Sequence, residues 1–199
     1  MKKEFLEAVK DRRTYYGIGK EIKVSDESIH GIVKEAVKYT PSSFNSQSAR
    51  AIVLLKEQHD KLWNITMEAL RKIVPADSFQ STEEKINSFK NGYGTIVFFE
   101  DQDVIKSLQD AFGLYKDNFP VWSQQSSGML QMVVWTELEA NGLGASLQHY
   151  NELIEAEVKK EFNLPENWKI IAQMPFGQPV VMPDEKQFNF QEDHVRLFK

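Results

Sequence analysis

The segment Thr95-Ile96-Val97-Phe98-Phe99 narrows the possible folds most: five consecutive residues, each β-branched or aromatic, that read as a strand. Ala51 to Leu55 is a second apolar run of strand length, Trp168 to Met174 a last one, and Ala145-Ser146-Leu147 a short one. Helical patterns separate them. Ser25 can cap a helix with Asp26 and Glu27 in its first turn and a stripe of Ile29, Ile32, Val33, Ala36 and Val37. Pro41 ends that helix, because the residue before a proline is pushed out of the helical region. His59 to Ile73, Gly128 to Ala140 and Glu152 to Phe162 read as helices, with Asn141-Gly142 as the stop of the second. Met1 to Val9 reads as a short helix with Phe5, Leu6 and Val9 on one side, and Asp11 to Lys23 as a loop. The spacing is uneven and shows no strict βαβ repetition, so the pattern predicts an α+β fold around a central sheet.

Two stretches resist assignment. Ala76 to Asn91 is polar and is expected to be mobile in part, and Pro175 to Lys199 is proline-punctuated and too irregular for a core element. Such a tail needs something to lie against, and a partner subunit is one candidate.

At 199 residues the chain is expected to form one domain over residues 1–199. A net charge of -5 argues against general nucleic-acid affinity, although a few arginines aimed at one point can still hold a small phosphorylated ligand. The absence of cysteine excludes disulfides, thiolate metal sites and cysteine nucleophiles, and is compatible with a reducing cytoplasm. His30, His59, His149 and His194 are dispersed, so no metal site is expected. No apolar run approaches the roughly 18 residues of a membrane span, and Glu4, Glu7 and Lys10 interrupt any signal core.

Three segments carry candidate chemistry. Arg12 and Arg13 beside Thr14 offer forked donors and a hydroxyl suited to phosphate; a solvated arginine pair is the plainer reading. Ser42, Ser43, Asn45 and Gln47 present mixed donors and acceptors, or else bond only their own loop. Gly142-Leu143-Gly144-Ala145-Ser146-Leu147-Gln148-His149-Tyr150 would let backbone approach a ligand closely, but its spacing is not a dinucleotide-binding fingerprint. Glu100-Asp101 reads as a pair of strand-end charges.

These segments, with Gly92-Tyr93-Gly94-Thr95, Phe98-Phe99-Glu100-Asp101, Asp117 to Ser123 and Gln173-Met174-Pro175-Phe176-Gly177, resemble the nitroreductase family in order and over nearly the whole chain. The likeness is to its compact, cysteine-poor branch of fungal and lactic-acid-bacterial enzymes. The resemblance implies a mainly antiparallel central sheet surrounded by helices, in a homodimer with two flavin mononucleotide (FMN) sites at the interface. A tail from about residue 178 to 199 packs on the partner. Arg12, Arg13 and Thr14 hold the phosphate and ribityl chain, joined by Arg196. Ser42, Ser43 and Asn45 approach the flavin of the other subunit, with Gln47 nearby, and the backbone around Leu147 to Tyr150, with Leu147, Gln148 and His149 as the assigned positions, lines the ring. The implied activity is ping-pong hydride transfer from NADH or NADPH through flavin N5 to small electron-poor acceptors, nitroaromatics and quinones. No side chain is assigned as catalytic, and a flavin-binding sensor or store is the alternative. Ser48 and Ala49 stand where a proline and an aromatic often follow the loop glutamine, and the acidic-glycine pair of larger relatives is absent. The group that meets N5 and the choice between NADH and NADPH therefore stay open.

Overall fold

The computed structural model describes residues 3–199, so the expected helix start at Met1 lies outside the described residues. In chain order the elements are α1 (Phe5–Asp11), β1 (Ile18–Gly19), α2 (Asp26–Tyr39), β2 (Ala49–Leu55), α3 (Glu57–Arg71), α4 (Phe79–Lys90), β3 (Gly94–Asp101), α5 (Gln102–Ala111), α6 (Phe119–Ala140), β4 (Gly144–Ala145), α7 (Asn151–Glu161) and β5 (Trp168–Pro179). The strands form one antiparallel sheet in the order β1-β5-β3-β2, with β4 also paired to β5. This is the helix-surrounded antiparallel sheet of the α+β expectation.

β3 explains why the best strand shows no polar alternation. Val97 and Phe99 point into a core with Trp63, Phe89 and Ile154 from α3, α4 and α7. Ile96 and Phe98 point the other way, against Ile29 and Val33 of α2 and Leu130, Val134 and Leu138 of α6. Helices cover both faces, so both sets of alternating side chains must be apolar. α2 follows its expected pattern, burying Ile29, Val33 and Ala36. Ser25 Oγ accepts from the Ser28 N–H at 3.2 Å. Ser25→Ala should lower stability by about 1 kcal/mol, the usual cost of a lost cap, seen as a lower urea midpoint at unchanged slope.

Four expectations need correction. Residues 76–91 are not a mobile polar stretch: α4 buries Phe79, Ile86 and Phe89 in the α3 side of the core, a sparse stripe that polar neighbours hide in the sequence. β5 runs on through Pro175 and Phe176 to Pro179. Pro175 is tolerated because what the neighbouring segment uses is its carbonyl, which accepts from the Ser146 N–H at 3.2 Å. α6 begins at Phe119 rather than Gly128. The serines that read as loop are absorbed by the helix, Ser123 Oγ and Ser126 Oγ donating to the Pro120 and Trp122 carbonyls. Finally, α1 buries Ala8, whereas Phe5 and Leu6 stand exposed. No helix among the described residues is long and apolar enough to cross a membrane.

Candidate functional site

After α1 the chain turns extended and runs beside β4. Thr14 bridges Ala145 in parallel, and the Tyr15 N–H donates to the Ala145 carbonyl at 2.9 Å. Residue 144 must be glycine here, because a Cβ would sit 2.8 Å from Tyr15 Cγ. This pairing places the two arginines. The Arg12 guanidinium lies over the Trp135 ring of α6, its Cζ 4.3 Å from the ring centroid. Arg12 Nη1 and Trp135 Nε1 are both shut off from solvent and have no hydrogen-bond partner among the described residues. Burial, with Arg13 adding, lowers the pKa of Arg12, and Glu139 opposes the shift. Arg13 is engaged differently: its Nη2 donates to the Asp184 carbonyl at the start of the tail.

The polar loop after α2 holds three non-glycine residues at positive φ: Phe44 (57°), Asn45 (51°) and Gln47 (49°). Such a backbone persists only where its surroundings over-determine it. Ser42 Oγ accepts from the Gln47 N–H at 3.0 Å, and the Asn45 and Ser46 N–H groups donate to the Ser42 and Ser43 carbonyls. Arg50 Nη1 holds the Gln47 carbonyl at 2.9 Å and Arg50 Nη2 pairs with Asp101 at 2.8 Å. The Phe44 ring sits among Phe112, Phe119 and Trp122. Ser42 thus closes its own loop, Ser43 is half-buried, and Asn45 and Gln47 are exposed.

Behind the loop, Ser48 Oγ donates to Glu100 Oε2 at 2.5 Å. Glu100 is wholly buried, and burial pushes its pKa up to about 7; Ser48 and Arg50 pull the other way and Asp101 adds to the rise. Glu100 Oε1 has no partner among the described residues, and neither has Thr40 Oγ1. Both residues line a cavity of about 200 Å³ with Ser42, Ser48 and Ser126. Asp101 is a strand-end charge as expected, capping α5 through the Asp103 N–H at 3.1 Å.

The segment after β4 stays extended. The Ser146, Gln148 and Tyr150 N–H groups are spent on Pro175, Gln173 and the Gln173 side chain of β5. Alternation along an extended chain directs the Leu147 and His149 N–H groups to the opposite side. Gln148 is buried, with its Nε2 donating to Ser146 Oγ at 3.1 Å, Leu147 is half-buried, and His149 is exposed at a cavity of about 630 Å³ that also touches Gln102, Ser123 and Lys169. Arg196 is exposed in the tail and pairs with Asp193 at 3.8 Å.

Residues 9–178 match the model of the nitroreductase family. The chain belongs to the nitroreductase family. It is 34% identical to HBN1 of Saccharomyces cerevisiae over 186 residues, 92% of each protein. Nitroreductase CinD of Lactococcus lactis, solved in complex with chloramphenicol, is 43% identical and superimposes with a TM-score of 0.88 over 98% of this chain and 100% of that one. CinD has also been solved with 4-nitrophenol, at 44% identity, the same TM-score and the same coverage. A Desulfitobacterium hafniense nitroreductase with bound FMN shares the fold at 18% identity and a TM-score of 0.71, the two chains covering each other fully.

In this nitroreductase the candidate residues fall into two groups. Arg12, Arg13 and Thr14 lie beside Ala145 of β4 and Trp135, whereas the Leu147–His149 segment leads away from them, His149 reaching the cavity that Ser123 of α6 lines. Ser43 and Asn45 border Phe44, which packs on Phe119 and Trp122. Trp122 and Trp135 are thirteen residues apart on α6, which is about 20 Å of helix. Arg196 makes its ion pair within the tail, with Asp193. Two residues of interest escape sequence reasoning. Trp135 reads only as part of an apolar helix, and Glu100 only as a strand-end charge.

Proposed function

We propose that this chain, one domain over residues 1–199, is an FMN-dependent oxidoreductase. In this reading it takes electrons from NADH or NADPH and passes them, in a ping-pong sequence, to electron-poor small molecules such as nitroaromatics and quinones. The observation that carries the reading is the buried donor pair, Arg12 Nη1 and Trp135 Nε1, beside the strand that leads into Leu147–His149. Neither group can accept a hydrogen bond, so neither can satisfy the other. An anionic acceptor satisfies both, and the phosphate of FMN fits that requirement. Thr14 adds a hydroxyl, the Leu147 and His149 N–H groups face away from β5, and Ser43, Asn45 and Gln47 carry the mixed donors and acceptors that a flavin edge matches. Bound there, FMN supplies the hydride chemistry, while the protein binds, orients and sets the local charge. No side chain is assigned as acid or base. Two of the CinD complexes, those with chloramphenicol and 4-nitrophenol, support the acceptor class.

The working unit is a homodimer in this reading. The Arg12 end beside Trp135 and the Ser43–Gln47 loop beside Trp122 lie far apart along α6, and a second copy would bring that loop to the Arg12 end. Apolar surface supports it. Met129 and Val133 on α6, and Phe5 and Leu6 on α1, are exposed, as are Phe188, Phe190 and Phe198 in the tail, which would wrap the partner together with Arg196. The proposed setting is the cytoplasm, where a chain without cysteine loses nothing to reduction.

The visible spectrum of the purified protein tests the reading. A flavin band near ~450 nm should bleach on anaerobic addition of NADH or NADPH and return with a nitroaromatic or quinone. A band that never bleaches would support the sensor or store instead. A colourless protein that FMN cannot reconstitute would end the proposal.

A further inference from the structure

We propose that Trp135 is a further cofactor-binding residue, whose indole N–H donates to the same phosphate that Arg12 binds while its ring face holds the guanidinium in place. This inference rests on the FMN reading above. Trp135 lies in the C-terminal half of α6 and is half-buried at the edge of the core that α2 and α6 form on the sheet. A tryptophan there needs no function to explain its ring. Its nitrogen does need an explanation, because a buried indole N–H is ordinarily bonded.

The surroundings decide what kind of acceptor is missing. Arg12 contributes a second buried donor within the same contact, Nη1, also without a partner among the described residues. Two carboxylates lie near, but both are committed: Lys3 Nζ pairs with Glu139 at 2.6 Å and with Asp11 at 3.0 Å. Glu139 offsets part of the Arg12 charge and Arg13 adds to it, and among the described residues no carboxylate is hydrogen-bonded to Arg12 Nη1. A neutral carbonyl would satisfy the indole but leave the guanidinium charge uncompensated. A phosphate has acceptor oxygens for both and the charge for one. The contact with the ring also confines the Arg12 guanidinium, whose fork meets phosphate oxygens in pairs.

Trp135→Phe tests the assignment, because phenylalanine keeps a ring under Arg12 and removes only the N–H. FMN and riboflavin are titrated separately into full-length apoprotein, wild type and variant, following flavin fluorescence. FMN affinity should fall roughly 10- to 100-fold, the worth of one hydrogen bond to a charged group, with riboflavin affinity unchanged. An unaltered FMN-to-riboflavin ratio, whether both affinities hold or both fall, overturns the role of Trp135. A wild-type protein that binds FMN no better than riboflavin defeats the phosphate reading itself, which is a separate failure. Should the variant not fold, the wild type still answers. The chain has four tryptophans, and their indole ¹⁵N–¹H signals can be assigned by substituting the other three. The Trp135 signal should move with FMN and not with riboflavin, and a signal that ignores FMN overturns the proposal.

Discussion

Arg12→Ala should lower FMN affinity by roughly 100- to 1000-fold, the loss of two charge-assisted hydrogen bonds, while the melting temperature of the apoprotein does not fall. The second half of that expectation sets it apart from simple damage. Arg12 Nη1 is buried without a partner among the described residues, and the shift of its pKa below the ordinary value has desolvation as its largest cause. An unsatisfied buried donor costs about 1–3 kcal/mol, so its removal offsets the lost stacking on Trp135. Arg12→Lys should fall between the two, because an ammonium keeps the charge but not the paired geometry. Flavin titration and thermal unfolding of the same samples give both readings. Wild-type FMN affinity in Arg12→Ala would place the phosphate elsewhere.

The second large effect is on stability against pH. Glu100 has its pKa pushed from 4.5 up to about 7 by burial, so the folded chain holds a proton there that the unfolded chain has released. Stability from this group is complete below pH 4.5 and is lost as pH rises toward 7, by about 3 kcal/mol in all. His59 runs in the opposite sense. It is buried between Thr95 Oγ1 (2.8 Å) and the Lys90 carbonyl (3.2 Å), and burial lowers its pKa from 6.5 to about 4. Its contribution is complete above pH 6.5 and is lost as pH falls toward 4, again by about 3 kcal/mol. In the wild type the two slopes largely cancel between pH 4.5 and 6.5. Glu100→Gln keeps an acceptor for Ser48 and cannot ionise, so only the His59 slope remains. The variant should lose stability steadily over that window as pH falls, and it should lack the wild type's decline toward pH 7. Urea midpoints at several pH values measure it, and identical profiles for the two proteins would refute the titration of Glu100.

Much of the fold was legible because its signals are local. The β3 run, the Ser25 cap, the stripe of α2 and the Asn141-Gly142 stop, with Gly142 at a φ of 77°, all follow from neighbours within a turn or two. α4 was missed for a physical reason: three apolar residues suffice to seat it when α3 supplies the other wall. The same applies to the N-terminal half of α6, whose serine hydroxyls bond back to the helix.

The candidate site divides along the same line. The residue types that stand ready can be read along the chain: the arginine pair, the amide- and hydroxyl-rich loop, and the small-residue approach to Leu147–His149. Which of them lack partners among the described residues, and which are desolvated, follows from long-range packing. Ser48 reaches Glu100 across 52 positions, and Arg12 reaches Trp135, far along the chain on α6. Periodicity and turn chemistry are properties of adjacent residues, whereas the cost of a buried charge or an unpaired N–H depends on what distant elements pack against it.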